Sequence, residues 1–334
     1  MQELRVAILG CGGMGSYHAR ALSNLDEARV VGLVDPDPDR LRRFCERVPA
    51  LAEVPAFEDS ERLYAAMDVD GVVITSPHTL HHEQIIAAVG RGQHVLVEKP
   101  MACTANDARE IRSAAAAAGV TVLTAYQRRL DPCYRYMSEV IERGELGQIR
   151  SVTITCGQNW GRNTTTGWRQ KPELSGGGML MDSGSHIVDV FGWLSRGRPA
   201  SVSAMVSDRG MPVDIDAVAQ VAFDNGVWGQ LTILGDVPFS WFESVVVTGT
   251  ECVLRYENDP QHPWRTGHVA RYVANEISHP LQLRGQETFA PRWLDAIAGR
   301  AENPVPPEAG VRVATLTEAI YESARRGSTV AVSA

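Results

Sequence analysis

Residues 5–25 read RVAILGCGGMGSYHARALSNL, and their interpretation decides the fold. Val6–Leu9 is a short apolar, strand-like run that ends in Gly10-Cys11-Gly12-Gly13-Met14-Gly15. A helical pattern follows, with Met14, Tyr17, Ala21, Leu22 and Leu25 expected on one face. The spacing is G-x-G-x-x-G between a strand and a helix, the setting in which this pattern binds a dinucleotide. Gly10 allows the tight turn, Gly12 lets the backbone approach a pyrophosphate, and Gly15 lets the helix pack on the strand. The helix start, at Gly13 and Met14, offers unpaired N–H groups and a positive dipole end to phosphates. Taken alone, the pattern also fits an ordinary glycine turn. Its partner is Asp35, closing the next strand, Val30–Val34, twenty residues after Gly15. A carboxylate there meets the adenosine ribose hydroxyls and repels the extra phosphate of NADP, so NAD is the expected cofactor. Arg40, one turn on, is the residue that could partly rescue NADP.

Bulk properties narrow the classes of function. A chain of 334 residues is long enough for two domains with separate cores. The net charge of −8 argues against nucleic acid or an anionic membrane as partner. There is no apolar run long enough to span a bilayer and no basic-then-apolar leader, so a cytoplasmic protein is expected. The six cysteines are scattered without a C-x-x-C pair, which reads as reduced thiols, not a disulfide framework or zinc site.

Residues 1–125 alternate strand and helix signals, as in a parallel sheet covered on both faces. After Asp35 come a helix at Asp39–Val48, a helix at Glu61–Met67 capped by Ser60, and a strand at Gly71–Thr75. A helix at Leu80–Gly92, a buried strand at His94–Val97, a long alanine-rich helix ending at Gly119 and a strand at Val120–Ala125 complete the region. Composition then shifts: all seven tryptophans lie between Trp160 and Trp293. Strand signals cluster at Gln148–Cys156, Ser201–Val206, Ala217–Phe223, Val227–Leu234 and Ser244–Tyr256, with Asp224-Asn225-Gly226 as a hairpin turn. Residues 126–334 are therefore expected to form a second α/β domain with a large open, mostly antiparallel sheet. One sheet face would carry helices and the other would meet a second subunit. A helix at Glu308–Arg326 and a short strand at Thr329–Val332 follow, the last residues packing back on the first domain.

Two charged groups stand in apolar surroundings. Glu98-Lys99-Pro100 closes a buried parallel strand, where ligands bind in doubly wound sheets, and a Lys there can stabilise an oxygen becoming alkoxide-like. A solvated Lys at a strand end is the alternative. The second group is GGGMLMDSGSHIVDVFGWL at 176–194. Read as one helix, it puts Asp182, His186 and Asp189 on a single polar stripe of an otherwise apolar, buried cylinder. His186 is then a base for an alcohol proton and Asp182 its partner; a structural Asp–His contact in a core is the alternative. The pair lacks a clear third ligand, so no metal is expected. His81, His82 and the remaining histidines read as helix-surface residues.

With these pieces assembled, the chain resembles the glucose–fructose oxidoreductase / inositol dehydrogenase / rhizopine catabolism (Gfo/Idh/MocA) family over nearly its whole length. The resemblance rests on VAILGCGGMGSYHARAL, TSPHTLHHEQIIAAVGRGQHVLVEKPMA, YQRRLDP, GELGQIRSV, WRQKPELSGGGMLMDSGSHIVDVFGWL and TEAIYESARRGSTV. It implies a Rossmann domain and an α/β domain with a large open sheet. It further implies Lys99 as catalytic lysine, His186 as general acid/base and Asp182 as its partner. Thr75, Ser76, Pro77, His81, Glu98 and Gln127 would stand on the cofactor side, and Trp168 and Arg169 at the substrate. His78 and Gln127 replace the asparagines that many members carry. The expected activity is NAD-dependent oxidation of a sugar, sugar-derivative or cyclitol hydroxyl by a homodimer or homotetramer. An enzyme that retains and recycles its NAD, or a sugar sensor without chemistry, would share the fold.

Overall fold

The computed structural model describes residues 3–259, 261–262, 267–280, 282–283 and 285–332. The chain forms two compact units. The first takes in Met1–Ala102, Asn106–Ala125 and Thr288–Gly310; the second takes in Cys103–Ala105, Tyr126–Glu287 and Val311–Ala334.

The first unit is built on six strands: β1 (Leu4–Leu9), β2 (Ala28–Val34), β3 (Ala56–Phe57), β4 (Gly71–Ile74), β5 (His94–Val97) and β6 (Val122–Thr124). All pair in parallel, in the order β3-β2-β1-β4-β5-β6. This is the doubly wound Rossmann sheet that the alternation of signals predicts. Strands β4 and β6 are buried throughout, as parallel strands covered on both faces must be. The chain order reverses between β1 and β4, and such sheets bind ligands outside the carboxyl ends of the strands at that point.

Two local expectations are corrected. The helix after the glycine loop, Gly13–Leu22, buries Gly15, Ser16, His18, Ala19 and Leu22, while Met14 and Tyr17 are exposed. The third glycine marks the inward face, because it must touch the preceding turn, and the large apolar side chains on either side of it point outward. The helix Ser60–Ala66 is capped by Asp59, whose side chain accepts the Arg62 N–H at 2.8 Å, so Ser60 lies inside the first turn.

Thr288–Gly310 completes this unit from far along the chain. Its helix, Phe289–Ile297, drives Trp293 into the core beside Gly71; a methyl group at residue 71 would lie 2.8 Å from the indole ring. Beyond it, the Thr124 N–H donates to Val305 O at 3.3 Å and Asn303 Nδ2 donates to Val122 O at 2.8 Å. The edge of β6 is thereby covered.

The second unit carries nine strands: β7 (Ile149–Gln158), β8 (Pro199–Ser207), β9 (Asp216–Phe223), β10 (Trp228–Leu234), β11 (Trp241–Gly249), β12 (Val253–Glu257), β13 (His268–Val273), β14 (Glu276–Ser278) and β15 (Val330–Ala331). Their order is β14-β13-β12-β11-β7-β10-β9-β8-β15. β7 and β10 are parallel and the other described pairs antiparallel, the open, mostly antiparallel sheet expected from the sequence. The run Ser244–Tyr256 divides between β11 and β12, and β13 and β14 have no counterpart in the sequence reading. The helix Gly184–Ser195 packs on β7 and β10, with Phe191 seated over Gly229 and against Phe223 at 5.4 Å between ring centres. On the opposite face Met205 and Trp228 are 73% and 76% exposed, which register places on the same side as Gln220.

The tryptophans do not form one aromatic platform. Trp293 belongs to the first unit's core, and Trp241 and Trp193 lie under the guanidinium groups of Arg128 and Arg129. Trp264 lies outside the described residues. Among the described residues no helix is long and apolar enough to cross a membrane, and none of the six cysteines is in a disulfide.

Candidate functional site

In the first unit four loops emerge at the carboxyl ends of β1, β2, β4 and β5. Gly10 has φ +97°, and a side chain there would strike the Thr75 backbone at 2.7 Å. At Gly15 a Cβ would come within 2.2 Å of Gly10 O. Gly12 and Gly13 differ, since nothing lies within 4 Å of a Cβ built on either. The turn and the helix contact thus exclude side chains at residues 10 and 15, while space stands open over residues 12 and 13. No side chain caps this helix, so its first N–H groups point into that space. The cradle fits a pyrophosphate, with Gly12, Gly13 and Met14 around it.

Asp35 is buried at the end of β2. Its Oδ2 accepts the Cys11 N–H at 2.9 Å and its Oδ1 the Asp37 N–H at 3.0 Å. The carboxylate therefore braces the glycine loop as well as standing beside it. Arg40 is half-exposed and paired with Asp37 at 3.3 Å. After β4, Thr75 donates from Oγ1 to Gly10 O at 2.5 Å, and Ser76 Oγ donates to Gln84 Oε1 at 2.6 Å.

Buried histidines hold the loop after β5. His18 Nε2 lies 2.8 Å from Glu98 Oε1, and because the carboxylate accepts, this nitrogen carries the proton. Burial works against the charge on Glu98, but the His18 hydrogen bond and the nearby charges of His18 and Lys99 prevail and hold Glu98 below the usual carboxylate range. His81 is not the surface residue that the sequence suggests. It is fully buried, with Nδ1 2.7 Å from Pro100 O and Nε2 2.9 Å from Ser76 O. Both carbonyls and Glu98 favour an imidazolium that would donate from both nitrogens. Burial, reinforced by His78, outweighs them and pushes the pKa down to about 4, so a neutral ring donates from one nitrogen at neutral pH. Lys99 itself is half-buried at the strand end between these two anchors.

In the second unit the polar stripe read from the sequence is broken up. The helix starts at Gly184, so Asp182 lies in the turn before it and does not share a helical face with His186. That turn is packed closely on Asp214: Gly178 N and Leu180 N donate to its carboxylate at 2.6 and 2.8 Å, Met179 N donates to its carbonyl at 2.8 Å, and a Cβ at Gly178 would strike Asp214 O at 1.9 Å. Asp182 is 3% exposed, and its Oδ2 accepts from Trp160 Nε1 at 2.7 Å and Arg169 Nε at 2.6 Å. The Arg169 guanidinium lies 4.4 Å over the Trp168 ring. His186, on the first turn of the helix, meets the Tyr126 ring edge-on, 6.2 Å between centres. Asp189 faces elsewhere, in a buried two-point ion pair with Arg129 at 2.7 and 2.8 Å. Gln127 is exposed while Arg128, Arg129 and Leu130 behind it are buried.

The structure thus gathers Gly10, Gly12, Gly13, Met14, Gly15, Asp35, Thr75, Ser76, Pro77, His81, Glu98 and Lys99 at one end of the first sheet. It brings Trp168, Arg169 and Asp182 into contact in the second unit. His18 and Trp160 escaped the sequence reading. His18 had a signal, since it falls with Gly15, Ala19 and Leu22 at helical spacing; Trp160 had none.

Comparison with known proteins gives two family matches. The oxidoreductase family with an NAD-binding Rossmann fold (Gfo/Idh/MocA) matches residues 4–126, and the Gfo/Idh/MocA C-terminal domain matches residues 134–255. The inositol 2-dehydrogenase of Burkholderia lata is 32% identical over 57% of this chain and 54% of its own, so the match spans about half of that protein. The scyllo-inositol 2-dehydrogenase (NADP+) of Bacillus subtilis is 24% identical over 99% of this chain and 96% of its own. Among solved structures, the WlbA dehydrogenase from Bordetella pertussis, in complex with NADH and UDP-GlcNAcA, has a TM-score of 0.86 at 25% identity and full coverage of both chains.

Proposed function

The chain belongs to the Gfo/Idh/MocA oxidoreductase family, and from that premise we propose that it oxidises a hydroxyl-bearing carbon of a sugar, sugar derivative or cyclitol with NAD. The observation that carries the substrate class is the contact of Asp182 with Arg169 and Trp160, beside the Trp168 ring and one turn from His186. Charged hydrogen-bonding groups next to an indole face suit a ligand with hydroxyls at its rim and C–H groups on its faces.

The bound nicotinamide would supply the acceptor for the hydride. His186 removes the hydroxyl proton, its ring held by the edge of Tyr126. Lys99 stabilises the same oxygen as negative charge develops. Composition supports a lysine-specific role: of the 32 Lys and Arg residues, Lys99 and Lys171 alone are lysines. A compact ammonium is thus kept at residue 99 in a chain that otherwise uses the broad, planar guanidinium. Asp182 orients Arg169, and with it the Trp168 ring, toward the substrate. NAD is preferred over NADP because Asp35 closes β2 and Arg40 is engaged by Asp37. The exposed face of the second sheet, with Met205 and Trp228, joins copies of the chain into a dimer or tetramer.

The test is a panel of D-glucose, D-xylose, D-glucuronate, myo-inositol and scyllo-inositol with NAD and NADP, followed by the absorbance of the reduced nicotinamide. His186→Ala and Lys99→Ala should each lower kcat by about 100-fold on the best substrate while NADH binding survives. The rising limb that a histidine base gives the pH–rate profile should vanish in His186→Ala. Wild-type kcat and pH profile in His186→Ala would remove it from the chemistry.

A further inference from the structure

Lys99 lies between two residues that are each gripped by a histidine from a different helix. Glu98, before it, takes the hydrogen bond of His18, from the helix that follows the glycine loop. Pro100, after it, presents its carbonyl to Nδ1 of His81, from the helix His81–Val89, while the other nitrogen of His81 faces Ser76 O. His18 and His81 are 1% and 0% exposed, so water does not compete for these contacts. The His18 ring is wedged between Tyr17, edge-on at 5.1 Å, and Phe289 at 6.3 Å, which limits its rotation.

From this arrangement we infer that His18 and His81 are positioning residues for Lys99. A lysine at a strand end has a flexible four-carbon stem, and it acts on a substrate oxygen only if its backbone is fixed. His18 fixes Glu98, whose carboxylate in turn accepts the Lys99 backbone N–H at 3.4 Å. His81, donating from Nδ1 to Pro100 O at 2.7 Å, fixes Pro100, and its buried ring packs against the loop after β4 that carries Ser76. Because His18 belongs to the helix at the dinucleotide cradle, the cradle and the lysine loop move as one body. This inference rests on the reading of Lys99 as the group that meets the substrate oxygen.

The presence of two lysines in the whole chain makes the test direct. Reductive methylation with ¹³C-formaldehyde labels Lys99, Lys171 and the terminal amine, and Lys99→Arg assigns the Lys99 signal. In the wild type that signal should differ in shift and line width from the one of exposed Lys171. In His18→Leu and His81→Leu it should move toward the Lys171 position, and in His18→Gln it should stay, because the amide retains a donor toward Glu98. On the best substrate of the panel, the two Leu variants should lose about tenfold or more in kcat, with the NADH dissociation constant within about twofold of wild type by fluorescence. Neither should lose further activity when Lys99 is already alanine.

An unmoved Lys99 signal in both Leu variants overturns the inference, as does full additivity with Lys99→Ala. Wild-type kcat in Lys99→Ala would instead overturn the chemical role of Lys99, and the labelling result would still decide whether the histidines hold it. Should a Leu variant fail to fold, Glu98→Gln and His81→Asn remove the charge or one contact while keeping the shape. A shifted Lys99 signal in those variants supports the inference and an unshifted one overturns it.

Discussion

Replacing Gly12 and Gly15 by alanine, one at a time, should separate cofactor binding from stability. At Gly12 the backbone, with φ −83° and ψ −159°, is open to any residue, and a methyl group meets nothing within 4 Å. The folded protein should therefore lose only about 0.5–1 kcal/mol, the cost of alanine at a helix N-cap. The same methyl group stands in the space over the first N–H groups of the helix. A charge-assisted hydrogen bond there is worth about 1.5–3 kcal/mol, so losing one weakens NADH binding by roughly 10- to 100-fold. At Gly15 the methyl carbon would sit 2.2 Å from Gly10 O, an oxygen already held by Thr75. The helix must retreat by about 1 Å, and overpacking of this kind costs about 1–3 kcal/mol. Fluorescence titration with NADH and thermal melts on the same preparations read both effects. Wild-type NADH affinity in Gly12→Ala would refute the assignment of the cradle. A wild-type melting temperature in Gly15→Ala would refute the packing argument.

Three further outcomes are expected. Asp35 and a 2′-phosphate about 4 Å apart would repel by roughly 4 kcal/mol at an effective dielectric of about 20, and screening should leave a preference for NAD of about 100-fold; a higher kcat/KM with NADP would reject this. His81 is neutral in the fold, with its pKa lowered by burial from 6.5 to about 4. Its contribution is complete above pH 6.5 and lost as pH falls toward 4, by about 3 kcal/mol, so urea unfolding of His81→Gln should depend less steeply on pH in that window. The double substitution Met205→Glu, Trp228→Glu should shift the sedimentation coefficient toward that of a monomer, and an unchanged value would place the oligomer contact elsewhere.

The legible parts of the sequence were those in which a backbone constraint and a side-chain type coincide. The glycines at 10, 12 and 15 announced the turn, the open cradle and the close helix contact, and the apolar run His94–Val97 delivered Lys99 to a strand end. The face of the first helix was misread because its outward side carries the larger apolar residues, Met14 and Tyr17, while the inward side is small or polar. Periodicity could not separate Asp182 from the helix that holds His186, since a tight turn of glycines and methionines has the same residue spacing. Asp189 was placed on one stripe with Asp182 and His186 because its partner, Arg129, is sixty residues away in sequence. The clustering of the tryptophans in the sequence did not reveal their separate roles, since several of them stack under arginines or fill a core.

The return of Thr288–Gly310 to the first unit has a consequence for biosynthesis. The six-stranded sheet is encoded by the first 125 residues, but Trp293, which fills the space beside Gly71, and Val305, which closes the edge at β6, are synthesised much later. At roughly 5–20 residues per second the nascent sheet waits on the order of ten seconds or more with that hydrophobic notch and that edge open. The Tyr126–Glu287 part of the second unit is translated during the same interval. A fragment truncated after residue 125 would carry both defects permanently and should be prone to aggregate, whereas supplying residues 288–310 in trans or fused directly behind residue 125 should relieve them.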